Sequence, residues 1–234
     1  MAIPTVEATQ VFDVTAASTT TGAITLSLGT ISENDIILAL VALDGTDGNP
    51  TGSGNNSGAM TAVQSTDEGT VECEALWVRQ GSTVDTTITI NWTGSEECRV
   101  ILARIAGAIT TGSIIDVVGT GLTGSGTTAT PVSSASTVVD TLFISFVSVD
   151  GAKVDDADTV TGTGWTELGT SNNTGGGPGI GSIAAELDQA SIGTPANAVF
   201  GTWSADNYAA YTFNIKPPAA GGGGFAHSQA VIIS

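Results

Sequence analysis

Apolar and polar residues alternate along this chain in short stretches, which is the pattern of β-strands with one buried face. Every second side chain is apolar over residues 23–28 and again over residues 87–92, as expected for strands. A further strand is predicted to have one apolar face made of Val71, Cys73, Ala75 and Trp77. Long stretches rich in Glu, Lys, Leu and Gln, which would indicate helices, are missing, so the pattern indicates an all-β fold.

Two stretches, residues 36–43 and 142–149, are apolar at almost every position. A strand of this kind is covered on both of its faces. Either two parts of the chain stack through these strands, or a neighbouring subunit covers them, and both alternatives stay open at this point. On this basis we expect a protein that is multimeric or bound to a particle in its working state.

The same order of segments occurs twice. VFDV at residues 11–14 resembles IIDV at 114–117, and NDIILALVALDG at 34–45 resembles DTLFISFVSVDG at 140–151. Met60-Thr61 then corresponds to Trp165-Thr166, and the halves close on apolar strands at 99–105 and 209–215. Ordered matches at a nearly constant offset indicate an internal duplication.

The sequence therefore predicts an all-β protein of β-sandwich or jelly-roll-like type with two sequence-related halves. We place the first half at residues 1–108, the second at 109–218, and a Gly-rich linker with a strand-like tail at 219–234. Two small sandwiches and one large sandwich with pseudo-two-fold symmetry both fit this pattern.

The predicted tail follows Pro217-Pro218 and four glycines, and it reads FAHSQAVIIS. Its apolar residues are strand formers that would expose apolar surface if left free. We expect strand addition to an open sheet edge of a neighbouring copy or of the same body. The partner-binding residues would be Phe225, Val231, Ile232 and Ile233, and the alternative is a disordered tail.

Charge is strongly unbalanced, with 5 basic and 23 acidic residues and a formal net charge of −18. Such a surface repels nucleic acid and anionic membranes, so neither is expected as a partner. It suits solubility at high copy number. The first residues contain no basic region and no apolar run, so the sequence predicts no signal peptide, and we expect a soluble cytoplasmic product or one exported by a route that the sequence does not show.

Catalytic equipment is scarce. The single histidine, His227, lies in the tail, and with two cysteines it supplies neither a hydrolase triad nor zinc-ligand spacing. Cys73 and Cys98 are expected to be small buried hydrophobes that function does not require, with a disulfide as the alternative. The GxGxxG match at 119–124 lacks a following helix and is interpreted as a loop.

Acidic residues gather in one loop of the second half. Asp150, Asp155, Asp156 and Asp158 are weak calcium candidates, and Asp44 and Asp47 lie in the equivalent loop of the first half. Calcium binds oxygen ligands of this kind, but solvated turn residues explain them as well, so no cofactor is predicted.

Other carboxylates and aromatic residues also allow both a functional and a structural interpretation. Glutamates that could form an acid–base pair are interpreted as surface charges, namely Glu72, Glu74, Glu96 and Glu97. Aromatic side chains that could stack on sugars are interpreted mainly as core residues, namely Trp77, Trp92, Trp165, Trp203, Tyr208 and Tyr211.

A long apolar strand ending in Asp-Gly, followed in the second copy by Gly164-Trp165-Thr166, resembles a pattern in β-sandwich proteins of tailed-phage and prophage structural gene clusters. The resemblance covers residues 11–216, and the first copy departs from it with Met60 in place of the tryptophan. It implies a virion component, synthesised in the cytoplasm of a host cell, without catalytic residues.

That resemblance suggests a capsid decoration protein that docks by sheet and tail contacts, with a major capsid or tail protein as its partner and homo-oligomers as its state. The first alternative is a carbohydrate-binding or adhesin module of a tail or fibre, which would need exposed aromatic residues. The second is a polysaccharide depolymerase, which would need a carboxylate pair in a cleft.

Overall fold

The computed structural model describes residues 2–14, 20–45, 49–94, 97–151, 159–171 and 179–219. Every regular element in these ranges is a β-strand, so the prediction of an all-β, sandwich-like fold is confirmed. None of the described residues belongs to a helix that could cross a membrane. The strands are β1 (Thr5–Val14), β2 (Thr21–Thr25), β3 (Ile36–Asp44), β4 (Thr51–Gly54), β5 (Gly58–Ala59), β6 (Thr61–Asp67), β7 (Val71–Arg79), β8 (Thr87–Asn91), β9 (Cys98–Ala106), β10 (Ile115–Val118), β11 (Leu122–Ala129), β12 (Thr141–Asp150), β13 (Thr159–Thr161), β14 (Thr166–Ser171), β15 (Ile180–Gln189) and β16 (Val199–Ile215).

The strands up to β9 form two antiparallel sheets. A five-stranded sheet has the order β1-β9-β3-β7-β6, and a four-stranded sheet has the order β2-β8-β4-β5. The five-stranded sheet has the doubly apolar strand β3 at its centre, between β9 and β7. Both edges of a central strand pair with neighbouring strands, and both of its faces pack against other layers. Residues 36–43 are therefore apolar almost throughout.

The strands from β10 onwards repeat this topology. Their main order is β10-β16-β12-β15-β14, and β11 and β13 both pair with the first part of β16. The 17-residue strand β16 therefore corresponds to two strands of the first half. Its first residues correspond to β8, and its last residues, which pair with β12, correspond to β9.

Local irregularities repeat as well. Asn34 and Asp140, just before β3 and β12, are the non-glycine residues with positive φ in the described chain, at 69° and 58°. Asn and Asp tolerate this conformation better than other side chains because their short polar groups bond locally. The β6–β7 pairing shifts register between Ala62 and Gln64, and β14–β15 does so between Glu167 and Gly169.

The five-stranded sheet of the first half packs face to face against the β10-β16-β12-β15-β14 part of the second half's seven-stranded sheet, so the body has four layers and three cores. The central core joins both halves and includes Leu40, Ile101, Phe146 and Tyr211. A second core lies between the first half's two sheets, and a third occupies the same place in the second half. At the margins β1 lies against β14, and β6 lies against β10 and β11, the reciprocal contacts of a pseudo-two-fold arrangement.

This packing decides between the alternatives that the apolar strands left open. Both faces of β3 and β12 are covered by the chain's own sheets. These strands therefore give no reason to expect a covering subunit, and oligomerisation stays a prediction without that support.

The two cysteines are free and buried. Cys73 lies in the central core, whereas Cys98 faces the first half's own core, on the other side of the same sheet. The two thiols thus point away from each other, which disfavours the alternative of a disulfide between them. Burial raises the pKa of both thiols, so each behaves as a small hydrophobe.

Candidate functional site

Carboxylates from both halves meet where β3 and β12 end. Asp44 and Asp150 occupy equivalent last positions of these strands. Burial raises the pKa of Asp44, and the charges of Asp150 and Glu97 raise it further. Among the described residues no group of three or more potential ligands could hold a metal ion. Asp155, Asp156 and Asp158 lie outside the described residues, so these weak calcium candidates are not tested.

A buried arginine crosses between the halves near this end. The Arg99 side chain is fully buried, and its Nε donates a hydrogen bond of 3.2 Å to the carbonyl oxygen of Ile180 in the other half. Its Nη1 lies 3.3 Å from Asp13 Oδ1, and that carboxylate also accepts a hydrogen bond from Ser171. Arg99 and Asp13 therefore tie the first half to two strands of the second.

Two further carboxylates lie inside the first half. Glu72 and Glu74 are each only 2% exposed, so the prediction that they are surface charges is wrong. The face of β7 that carries them is also the face that carries Leu76 and Val78 into the first half's own core. Sequence alternation placed them correctly on the face opposite Cys73, but it could not show that a second sheet covers that face.

These two glutamates have different surroundings. Glu72 accepts a 2.6 Å hydrogen bond from the Ser65 hydroxyl, whereas Glu74 Oε2 is buried without a hydrogen-bond partner. Burial, followed by the charge of Glu72, raises the pKa of Glu74 to about 8. Glu74 is therefore mainly protonated at neutral pH, which avoids leaving an unpaired charge in the core.

Asp85 shows the opposite solution for a buried carboxylate. It accepts hydrogen bonds from the backbone nitrogens of Asn56 and Ser57, at 2.6 and 3.0 Å, and from Gln80 Nε2 at 2.8 Å. Burial raises its pKa, but these bonds and one from the Ser57 hydroxyl outweigh burial and lower it. Asp85 thus fixes the β4–β5 turn onto the segment before β8, and its oxygens are occupied by this structural task.

A small cavity lies at the rim of the second half. It measures about 130 Å³ and is lined by Gly164, Thr166, Glu186, Leu187 and Asp188. Burial, and then the charge of Asp188, raises the pKa of Glu186 to about 7, and partial desolvation raises the pKa of the more exposed Asp188. A carboxylate pair with raised pKa values is the equipment of acid–base chemistry, but the volume is well below the roughly 300 Å³ at which ligand pockets begin.

The tryptophans are core residues, as their positions in the sequence predicted. Trp77, Trp92, Trp165 and Trp203 are all at most 8% exposed, and Tyr211 is fully buried. Only Tyr208 of the six aromatic candidates is half-buried, and it packs edge-on against Trp203 with ring centroids 6.2 Å apart. The GxGxxG match leads into strand β11 instead of a helix, so it lacks the context of a dinucleotide site.

The predicted partner-binding residues Phe225, Val231, Ile232 and Ile233, together with His227, lie outside the described residues. The sequence reasoning missed Arg99, Glu186 and Asp188. A basic residue within the apolar run 99–105, which also contains Arg104, was an available signal for Arg99. No periodicity marks a rim cavity, because such a cavity depends on how the sheets are stacked.

Comparison of the chain with family models, curated proteins and solved structures finds no match.

Proposed function

We propose that this chain is a non-enzymatic structural component of a phage-like virion, and specifically a decoration protein that docks on a capsid by sheet and tail contacts. Its partner would be the major capsid protein or a tail protein. Copies of the chain would sit side by side as homo-oligomers on the particle.

The observation that carries this proposal is the duplicated four-layer body. Its central core is continuous across both halves, and the junction of Arg99, Asp13 and Ile180 fixes their relative position. Such a block is rigid because close-packed interiors resist deformation. A rigid body with a net charge of −18 suits a part that is made at high copy number and must stay dispersed before assembly.

The alternative function is a carbohydrate-binding or adhesin module of a tail or fibre. The half-buried ring of Tyr208 favours it, since an accessible aromatic face is what a sugar stacks on. Because the four tryptophans are buried, they are not available for stacking on sugars, although the sequence allowed that role.

Mass spectrometry of particles purified by density gradient from a lysate of the source strain tests the proposal. We expect the chain in the particle fraction, in amounts comparable with the major capsid protein or the tail proteins. Recovery only in the unassembled fraction would contradict a virion role.

Co-sedimentation of the purified chain with particles that lack it gives the control. Removal of residues 221–234 should weaken this binding, while the circular dichroism of the body stays unchanged. A glycan array tests the alternative.

A further inference from the structure

The outer edge of β11 is open in the described part of the chain. One edge of β11 pairs with β16, and no described strand pairs with the other. Its sequence, LTGSGTTA, contains no charge and no proline, although edge strands are usually protected by such residues. Thr123, Ser125 and Thr127 are exposed along it. This edge therefore presents unpaired backbone groups to which a further strand can bind.

The equivalent strand of the first half is shorter and better covered. β2 has five residues, against eight in β11. The Gln10 side chain donates to the Thr25 carbonyl oxygen at 3.0 Å and accepts from the Ser27 nitrogen at 2.8 Å, so it clamps the end of β2 onto β1. This difference makes β2 a matched control for β11.

An aromatic ring lies across β11. A Cβ atom at Gly124 would be 2.7 Å from the Tyr208 hydroxyl oxygen, so the ring of Tyr208 occupies the space that a side chain would fill. Trp203 Nε1 donates a 2.8 Å hydrogen bond to the Gly126 carbonyl oxygen beside it. Aromatic side chains that cover edge glycines in this way provide an apolar surface, and apolar residues of an added strand can pack on it.

The segment that follows β16 has the length to reach this edge. β16 ends at Ile215, and Leu122 at the start of β11 pairs with Ala210, five residues earlier, which is about 17 Å along the strand. Residues 216–224 can span up to about 30 Å. Residues 225–234 are ten in number, against eight in β11, so they suffice to pair along the whole strand.

We propose that residues 225–234 add as a strand to the outer edge of β11 in the same chain. The segment would run parallel to β11, because it returns from the end of β16 and β11 is antiparallel to β16. Val231 and Ile233 would share one face and Ile232 would take the other. The same chain is the favoured source, because a short linker gives an effective concentration on the order of millimolar. The inference does not depend on the proposed virion role; under that role the paired tail would contact a capsid as part of the sheet edge and not as a free segment.

Engineered cysteines test this pairing in the full chain. Ser125→Cys is combined with Ser228→Cys or Gln229→Cys, one for each face of the segment, and the native thiols stay buried. Under mild oxidation we expect a disulfide within one chain in at least one pair, formed on the order of tenfold faster than with the control Ala23→Cys on β2. A disulfide between two chains, or equal rates on β2 and β11, would overturn the proposal.

Hydrogen exchange gives an independent readout. Amides of residues 122–127 should exchange on the order of tenfold faster in the double variant Ile232→Asp, Ile233→Asp, since a charge cannot pack on the Tyr208 ring. The control Ser228→Asp, Ser234→Asp adds the same charge and should leave exchange unchanged. Equal exchange in the wild type and both variants would show that the segment does not cover β11.

Discussion

Trp77 and Arg79 in the first half occupy the strand positions that Glu186 and Asp188 occupy in the second, as the pairing of β7 with β3 and of β15 with β12 shows. Arg79 lies 5.6 Å above the Trp77 ring and donates to the carbonyl oxygens of Ile109 and Gly112. At the equivalent rim Glu186 and Asp188 line a cavity. One rim is thus closed by an aromatic residue and a cation, whereas the other is open and acidic.

The interiors differ in the same way. Glu74 corresponds by register to Ile183, and Arg99 corresponds to Ala209. The first half therefore buries ionisable groups at positions where the second buries ordinary core residues. Because the strand order is shared, the backbone arrangement does not require these charges. They are features of one copy, and substitutions that copy the other half's residue measure what each contributes.

The largest effect is expected in the core that both halves share. Phe146 and its register equivalent Leu40 are fully buried there, so Phe146→Ala should lower the free energy of unfolding by about 3–5 kcal/mol and Leu40→Ala by about 2–5 kcal/mol. Since each removes contacts from both halves, unfolding in urea should remain one transition for either variant. Two separate transitions would show that the halves are energetically independent.

The next effect concerns the junction between the halves. Arg99→Ala copies Ala209 and removes the bond to Ile180 and the ion pair with Asp13. We expect a loss of about 2 kcal/mol, the scale of a hydrogen bond to a charged group, because Asp13 is partly exposed and can rehydrate. Urea unfolding measures it, and Lys216→Ala, which removes a half-buried cation whose Nζ donates only a 3.4 Å hydrogen bond to the Ser113 carbonyl oxygen, should cost less than about 1 kcal/mol. Equal losses for both variants would exclude a special role for the junction.

Much of the fold could be predicted from the sequence, because period-two alternation and the repeated segment 34–45 report local strand geometry directly. The doubly apolar strands even indicated covering on both faces. The sequence could not show what covers them, since stacking of the halves and contact with another subunit leave the same pattern. The burial of Glu72 and Glu74 was missed for the same reason, because it depends on a second sheet formed by residues distant in sequence.

Glu74 should make the protein less stable as the pH rises. Its pKa is about 8 in the folded chain, against the ordinary value of 4.5. Between these values the folded state binds the extra proton, so the free energy of unfolding decreases with increasing pH, by at most about 1.4 kcal/mol per pH unit for one proton. Glu74→Gln removes this proton uptake and should be more stable than the wild type by about 1 kcal/mol or more at pH 8.

Urea midpoints at pH 5, 6.5 and 8 provide the measurement. Glu74→Ile, which copies Ile183, should flatten the pH dependence as Glu74→Gln does. Glu33→Gln, at an exposed position, should keep the wild-type slope. If Glu74→Gln also keeps the wild-type pH dependence of the free energy of unfolding, Glu74 is ionised in the folded protein. Burial of its unpartnered Oε2 would then not raise its pKa.

The smallest effect is expected at the open rim. Burial, and then the charge of Asp188, raises the pKa of Glu186 to about 7, from 4.5, so its contribution to stability is lost as the pH rises from about 4.5 to 7. Because the side chain is only half-buried, solvent screens it, and Glu186→Gln should change stability at pH 7 by less than about 1 kcal/mol. Asp188→Asn should lower the pKa of Glu186, which a carboxylate-resolved NMR titration would detect. If Asp188→Asn leaves the pKa of Glu186 unchanged, burial alone raises that pKa. The rim of the second half would then differ from the rim at Trp77 and Arg79 in packing and not in charge.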